Sequence, residues 1–162
     1  MKAIAAVDQN WAIGNKGQLL VHISEDMKNF RRLTAGKTVI YGRKTLETFP
    51  HAKPLPKRDN IILSRNPAYT VEGAQVVHSI KELKELLPEN TEDFIVIGGD
   101  SIYHTMLPLC DECIITKVEN SYEADAWFTN LDEDPEWKLA ERGEDREADG
   151  LIFHFDIYRR IR

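Results

Sequence analysis

Short apolar runs alternate with helically spaced segments along most of the chain. Seven runs rich in β-branched residues predict strands, at residues 2–7, 38–41, 60–64, 75–77, 94–97, 113–118 and 151–158. Between several of them the apolar positions repeat with the period of an α-helix, which predicts helices at residues 24–35, 44–49, 79–87 and 100–107. Ser24 and Ser79 stand where a side chain caps the helix that follows.

The character of the strands predicts how they pair. The early runs are continuously apolar, as expected of strands covered on both faces, and strand–helix alternation favours parallel pairing with right-handed crossovers. The run at 151–158 alternates better and follows another strand without a clear helix between, so we expect it to be antiparallel. We therefore predict an α/β fold: a single domain over residues 1–162, with a central, mostly parallel sheet of about eight strands, an antiparallel C-terminal edge and about four flanking helices.

Composition agrees with one globular domain and argues against two classes of protein. The 162 residues are 42% hydrophobic and 30% charged, which is ordinary for a soluble protein. The apolar start ends at Asp8, and no later stretch reaches about 18 apolar residues, so we predict no export signal and no membrane span. We therefore expect the protein to be cytoplasmic. The net charge of −6 argues against a nucleic-acid binder.

The distribution of charge is more informative than its total. Residues 132–149 hold nine acidic side chains against three basic ones, whereas residues 42–65 hold six basic side chains against two acidic ones. A basic segment in an acidic protein indicates an anionic small ligand, with a solvated basic face as the alternative.

The cysteines and histidines do not predict a metal. Cys110 and Cys113 form a C-x-x-C pair, but Cys113 continues into a predicted strand, no further ligands at zinc spacing are evident, and we expect two reduced structural thiols. His22, His51, His78, His104 and His154 also lack metal-ligand spacing. We expect no metal site.

Asp26 is the first candidate for chemistry. Asp26, Phe30 and Leu33 share one stripe of the predicted helix, because they are spaced at i, i+4 and i+7. A carboxylate on an apolar stripe is costly to bury, and many such acids are first-turn residues at the rim of a helix. If Asp26 is buried, its pKa rises and it becomes a candidate acid facing a ligand.

Two glycine-bearing turns follow predicted strands and open predicted helices. Gly42-Arg43-Lys44-Thr45 combines backbone amides, cations and a hydroxyl, a set that suits a phosphate. The pair Gly98-Gly99 allows close approach of a ligand, although a turn needed only for packing is the alternative. Both turns fall at carboxyl ends of strands, where ligands bind in parallel sheets.

The loop at residues 10–17 either closes over a ligand or is an ordinary connection.

Taken in order, these segments resemble dihydrofolate reductase. The resemblance spans essentially the whole chain and includes Asp125 and the following motifs: Ala5-Ala6-Val7-Asp8, Asn10-x-x-Ile13-Gly14, Glu25-Asp26-x-x-x-Phe30, Gly42-Arg43-Lys44-Thr45, Pro54-Leu55-Pro56-x-Arg58-x-Asn60, Ser64-Arg65, Ile97-Gly98-Gly99, Tyr103 and Thr116.

The resemblance implies a substrate site around Asp26. Asp26 would be the catalytic acid, accepting hydrogen bonds from the pterin, with Thr116 sharing that network. Arg58 would clamp the glutamate α-carboxylate of dihydrofolate with two hydrogen bonds. The remaining substrate contacts implied are Ile4, Ala5, Met27, Phe30, Phe49, Lys53 and Leu55.

The resemblance also implies NADPH as the cofactor. Lys44 and Thr45 would hold phosphate, and Arg43, Ser64 and Arg65 would contact the 2′-phosphate, which favours NADPH over NADH. Gly98-Gly99 resembles a cis peptide of the family. The other implied contacts are Ala6, Ile13, Gly14, Asn15, Gly17, Gln18, Leu19, Gly42, His78, Ile97, Asp100, Ser101, Ile102 and Tyr103.

The implied reaction is hydride transfer from NADPH to C6 of dihydrofolate with protonation at N5. We expect a monomer that antifolates inhibit and that binds neither nucleic acid nor a membrane. Three positions depart from the pattern. Leu20-Val21 replaces the usual Pro-Trp, and Ser101 replaces a cation found in many relatives. Two rivals follow: a folate or dinucleotide binder that has lost catalysis, and a reductase of a related pterin or pyrimidine.

Overall fold

The computed structural model describes residues 1–161. Its first strand, β1 (Lys2–Val7), lies in the middle of the main sheet and pairs in parallel with two others, β7 (Phe94–Gly98) and β8 (Glu112–Val118). Most side chains of β1 are buried, as expected of a strand covered on both faces.

The main sheet extends from β1 in both directions. On one side β7 is followed by three further parallel strands, β4 (Thr38–Gly42), β5 (Asp59–Leu63) and β6 (Gln75–Val77). On the other side β8 is followed by antiparallel strands, β12 (Leu151–Arg160), then β10 (Trp137–Arg142) and β11 (Arg146–Ala148). Within residues 1–161 the sheet has nine strands, which confirms the predicted mostly parallel sheet with an antiparallel C-terminal edge.

Each predicted helical segment overlaps an α-helix. Over residues 1–161 the four are α1 (Ser24–Thr34), α2 (Arg43–Leu46), α3 (Ile80–Leu86) and α4 (Asp100–Met106). Helix α2 begins one residue before the predicted segment and ends three residues earlier. Ser79 caps α3 as predicted, since its side chain accepts a hydrogen bond from the Glu82 amide. The predicted Ser24 cap is wrong, because α1 begins at Ser24 itself and Ile23 occupies the cap position.

A small second sheet was not predicted. β2 (Ala12–Asn15) pairs in antiparallel fashion with β3 (Gln18–Leu19) and with β9 (Ala126–Trp127). It gives the loop after β1 a fixed shape, and the loop residues Gly14 and Lys16 bond to Asp125 through their backbones.

The strand order brings the two glycine turns together. β7 returns to lie between β1 and β4, so β4 and β7 end beside each other, with Tyr41 paired to Gly98. Because parallel strands end at the same edge, the turns at Gly42 and Gly98 border one region of the molecule.

In residues 1–161, no helix combines the length and the apolar character that crossing a membrane requires.

Candidate active site

The Asp26 carboxyl group lies between α1 and β8. Thr116, buried on β8, donates a hydrogen bond from Oγ1 to Asp26 Oδ1 at 2.6 Å. Burial raises the pKa of Asp26, and the hydrogen bond from Thr116 opposes this in part. Asp26 therefore retains a proton to higher pH than an exposed aspartate does.

A cavity of about 30 Å³ adjoins this carboxyl group. That volume is sufficient for a single water molecule. The cavity is lined in part by Asp26, Met27 and Leu20, and the apolar side chain of Val21 forms part of the same wall. The replacement of Pro-Trp by Leu20-Val21 thus lies beside the acid.

Arg58 is held against the far end of α1. Its Nε donates to Thr34 Oγ1 at 2.9 Å and its Nη1 donates to the Pro56 carbonyl at 3.0 Å. The guanidinium carbon lies 6.0 Å from the centre of the Phe30 ring. Burial lowers the pKa of Arg58, and the nearby charge of Arg31 lowers it further, although an arginine remains charged.

Asn60 fixes the proline-rich loop that carries Leu55 and Arg58. Its Oδ1 accepts from the Leu55 amide at 3.0 Å and from the Tyr41 hydroxyl at 2.8 Å, while its Nδ2 donates to the Leu55 carbonyl at 3.0 Å. The motif included Asn60, but sequence reasoning gave it no role. Phe49 packs edge-on against Tyr41, with ring centres 5.2 Å apart, and Lys53 is exposed.

The Gly98–Gly99 peptide bond is cis, as the resemblance implied. Gly98 has a φ of +150°, and a Cβ there would lie 3.0 Å from Thr45 Oγ1. A larger residue is therefore disfavoured by both conformation and space. Behind this turn, the buried Tyr103 donates its hydroxyl hydrogen bond to the Ile4 carbonyl at 2.6 Å.

A cleft of about 350 Å³ opens at the glycine turns. The predicted residues that line it are Ala5, Ala6, Ile13, Gly14, Gly17, Gln18, Leu19, Lys44, Thr45, Ile97, Gly98, Gly99, Asp100 and Tyr103. Thr48, Asp125 and Ala126 line it as well and were not predicted to do so. Asp125 is one of the residues that carry the family resemblance, and this was the signal in the sequence that could have placed it at the cleft.

A second cleft, of about 550 Å³, continues past the same turns. The predicted residues that line it are Gly42, Arg43, Lys44, Thr45, Ser64, Arg65, His78, Gly99, Asp100, Ser101 and Ile102. The Arg43 guanidinium stacks 4.7 Å above the Tyr69 ring, and His78 Nδ1 lies 2.9 Å from the Ser64 carbonyl. Asn66, Ser79, Ile80 and Thr105 also line this cleft and were not predicted.

The predicted residues outside these three spaces are Ile4, Asn15, Phe30, Phe49, Lys53, Leu55, Arg58 and Thr116. Thr116 and Ile4 are joined to the site by the hydrogen bonds above, and Asn15 belongs to β2. Phe30, Phe49, Leu55 and Arg58 are partly buried.

Comparisons with known proteins agree on one family. A family model described as dihydrofolate reductase matches residues 1–160. The dihydrofolate reductase of Neisseria gonorrhoeae is 40% identical over 156 residues, covering 96% of this chain and 94% of that protein. That of Bacillus subtilis (strain 168) is 34% identical over 157 residues, covering 96% of this chain and 91% of that protein. A solved structure, described as dihydrofolate reductase from Enterococcus faecalis complexed with NADP(H) and RAB-propyl, has a TM-score of 0.87 and 30% identity, covering 99% of this chain and 96% of that one.

Proposed function

Because this chain belongs to the dihydrofolate reductase family, we propose that it reduces 7,8-dihydrofolate to 5,6,7,8-tetrahydrofolate with NADPH, and that Asp26 is the acid of the reaction.

One observation carries the proposal. The small cavity beside Asp26 and the cleft at the glycine turns share three lining residues, Ala6, Ile13 and Leu19. A ligand at this junction contacts the acid on one side and a cofactor in the cleft on the other. Reduction of a C=N bond needs that arrangement, because a hydride and a proton reach neighbouring atoms of one substrate.

The residues at the two clefts suit NADPH. The backbone at Gly98 and Gly99 leaves no Cβ in the way of a close approach, and Lys44 and Thr45 line both clefts, where a pyrophosphate would lie. Arg43 and Arg65 place two cations on the second cleft, which suits an additional phosphate and favours NADPH over NADH. When bound, NADPH supplies the hydride.

The protein contributes alignment and one proton-holding group. The Asp26 carboxylate accepts hydrogen bonds from the pterin amino group and ring nitrogen, and Thr116 fixes one of its oxygen atoms. Because burial raises the pKa of Asp26, the carboxyl group exchanges its proton closer to neutral pH than an exposed aspartate does. A water molecule in the adjoining cavity carries that proton to N5, since the cavity has room for one.

Arg58 determines which pterins are accepted. Its guanidinium is fixed by Thr34 and the Pro56 carbonyl, so it is oriented before the substrate arrives. A fixed guanidinium binds a carboxylate with two parallel hydrogen bonds, which selects substrates with a glutamate tail. The ring systems of the substrate would lie between Arg58 and Asp26, in contact with Met27, Phe30, Phe49 and Leu55. Lys53 would lie near the glutamate tail. The remaining predicted contacts are Ile4, Ala5 and Asn15.

The proposal extends to a monomer in the cytoplasm that antifolates inhibit. Cys110 and Cys113 are both buried and free, as expected in a reducing compartment. Sedimentation equilibrium tests the monomer, and competitive inhibition by a 2,4-diaminopyrimidine tests the antifolate site.

The proposed reaction is tested by following NADPH absorbance with dihydrofolate as the second substrate. We expect steady turnover with NADPH and much weaker turnover with NADH. The two rivals give different results. A binder without catalysis retains NADPH without consuming it, whereas a reductase of another pterin or pyrimidine oxidises NADPH with that compound and not with dihydrofolate.

A further inference from the structure

A His–carboxylate cluster lies at the antiparallel edge of the main sheet. It joins Glu119, just after β8, with His154 on β12 and Asp145 in the turn between β10 and β11. One potential ligand atom from each side chain lies within 4.8 Å of the other two. None of these residues lines the three spaces of the candidate active site.

His154 is oriented by a buried carboxylate. Its Nδ1 lies 2.7 Å from Asp156 Oδ1, and Asp156 is only 2% exposed. The Asp156 oxygen also accepts a hydrogen bond from the Gly143 amide at 3.2 Å, which holds the carboxylate in place. Because a carboxylate accepts the Nδ1 proton, the neutral imidazole keeps the lone pair on Nε2, and this His–carboxylate arrangement is the usual one behind metal-binding histidines.

The Nε2 atom of His154 lies near the exposed carboxylate of Glu119. The side chain is 8% exposed, and Nε2 lies 4.0 Å from Glu119 Oε1, which is too far for a hydrogen bond. Within residues 1–161, the hydrogen bonds of this ring are confined to Nδ1. One ring nitrogen of this buried imidazole therefore lies beside the exposed Glu119 carboxylate without a hydrogen bond to it, and an Asp145 oxygen is within 4.8 Å of the same cluster.

A close backbone approach places Asp145 in this cluster. A Cβ at Gly143 would lie 2.3 Å from the Phe155 carbonyl oxygen, so only glycine allows the turn to pass this near to β12. Asp145 follows two residues later and is brought beside His154 by that approach.

We propose that Glu119, Asp145 and His154 bind a divalent transition-metal ion of the Zn²⁺ type. An imidazole nitrogen and carboxylate oxygens are ligands that Zn²⁺ takes in proteins, and three protein ligands leave a fourth position open to water. The imidazole disfavours Mg²⁺ and Ca²⁺, which prefer oxygen ligands. Zinc bonds of about 2.0–2.2 Å require the two acidic side chains, which are exposed, to move inward.

Arg142 competes with the metal for the acidic side chains. Its Nη2 donates to Asp145 Oδ1 at 2.9 Å and lies 3.9 Å from Glu119 Oε1. A bound cation must displace this guanidinium, so Arg142 weakens the site. Removing its charge by Arg142→Gln should therefore tighten metal binding by several fold.

Isothermal titration of Zn²⁺ into the metal-free full chain tests the proposal. We expect one ion per chain, and a weakening of at least about tenfold in both Glu119→Gln and Asp145→Asn, whose side chains are exposed and whose replacement leaves the fold intact. Arg142→Gln should bind more tightly. The controls His104→Gln and Glu147→Gln replace exposed groups outside the cluster and should bind as the parent chain does.

Co²⁺ provides a second measurement, because its visible spectrum reports the ligand geometry. We expect absorption bands of a four-coordinate site that are absent from His154→Gln, with circular dichroism showing that this variant is folded. The proposal is overturned if Zn²⁺ does not bind, if Glu119→Gln and Asp145→Asn leave the affinity unchanged, or if His104→Gln lowers it as much as they do. The site is independent of the proposed reaction, so dihydrofolate reduction in the parent chain does not bear on either outcome.

Discussion

The Asp26 carboxyl group is held by one hydroxyl donor at the edge of a ligand cleft. Thr116 Oγ1 donates to it at 2.6 Å, and Thr116 itself is fixed by the pairing of β8 with β1, in which it lies opposite Ala6. Since a single hydrogen bond offsets only part of the desolvation, the pKa of Asp26 stays raised. The surroundings of this side chain therefore suit a group that holds its proton to higher pH than an exposed aspartate does.

Arg58→Ala should weaken the binding of dihydrofolate and leave the binding of NADPH unchanged. Loss of a charged, bidentate hydrogen-bond partner costs about 2–5 kcal/mol, so we expect the KM for dihydrofolate to rise by at least about 30-fold. Steady-state kinetics measure this change. Lys57→Ala, which removes an exposed cation next to Arg58, is the matched control and should change the KM little. An unchanged KM in Arg58→Ala would favour a substrate without a glutamate tail.

Arg65→Ala should reduce the preference for NADPH. Arg65 lines the second cleft with Arg43 and is exposed, so its removal takes one cation from the proposed 2′-phosphate site without disturbing the core. We expect the KM for NADPH to rise by about tenfold and the KM for NADH to stay the same. Equal changes for both cofactors would show that Arg65 does not contact the 2′-phosphate.

At the scale of elements, helix α1 connects the two ends of the proposed substrate site. Asp26 lies in its first turn, and Thr34 in its last turn binds the Arg58 side chain at 2.9 Å. The apolar stripe of the helix made Asp26 a candidate for burial and left a position at the rim of the helix as the alternative. It did not predict Thr34 as a partner of Arg58, because that contact depends on how the proline-rich loop folds back onto the helix.

The glycine turn after β7 should be intolerant of a side chain. In Gly98→Ala the new Cβ meets Thr45 Oγ1 at 3.0 Å, and the φ of +150° is unfavourable for alanine. We expect NADPH affinity, measured by fluorescence titration, to fall by at least about tenfold. A displaced turn needs to lose only about 1.4 kcal/mol of binding free energy to produce that change. Gly36→Ala is the control: it has a φ of +74° but nothing within 4 Å, so it should lower stability and leave NADPH affinity intact. Unchanged NADPH affinity in Gly98→Ala would contradict the claim that NADPH binding requires a residue without a side chain at this turn.

The sequence predicted most strands of the main sheet, including β6 at one edge. Continuous apolar runs identify β1, β4, β5 and β7, because both faces of these strands are buried. The strands β2, β3 and β9 are two to four residues long, so they lack a hydrophobic period, and their pairing depends on the position of the loop after β1. β10 is an edge strand with exposed charged residues, and its composition therefore resembled a solvated segment.

At the scale of the whole molecule, local patterns in the sequence identify candidate residues but not the contacts between distant ones, and the contact of Asp26 with Thr116 was implied by the family resemblance alone. Asp26 and Thr116 are 90 positions apart, and their contact depends on the complete sheet. The proposed metal site shows the same limitation, since Glu119, Asp145 and His154 come from three separate segments without a ligand-spacing motif. Motifs within one turn, such as Gly42 to Thr45, were recognisable because their geometry is local.

Burial of the Asp26 carboxyl group also lowers the stability of the fold, by an amount that depends on pH. The pKa of Asp26 is raised in the folded protein, so its carboxyl group favours folding below about pH 3.9, the ordinary pKa of aspartate, and this contribution is lost as pH rises through the folded pKa. Asp26→Asn keeps an acceptor for Thr116 and carries no charge. We therefore expect Asp26→Asn to raise the Tm by a few degrees at neutral pH and to lose that advantage at acid pH.

Thermal unfolding followed by circular dichroism from acid to neutral pH measures this difference. Asp59→Asn, at an exposed position, is the control and should show no comparable gain. A lower Tm for Asp26→Asn at neutral pH would mean that the carboxylate is stabilised in the fold and that its pKa is not raised.

The most direct test of the account is the turnover of NADPH and dihydrofolate by Asp26→Asn beside the parent chain, as a function of pH. We predict that kcat of the variant falls by orders of magnitude at neutral pH, while the Kd for NADPH is unchanged and the difference in kcat narrows in acid, where the solvent can protonate the substrate. Turnover by Asp26→Asn equal to that of the parent chain at neutral pH would contradict the role of Asp26 as the acid of the reaction.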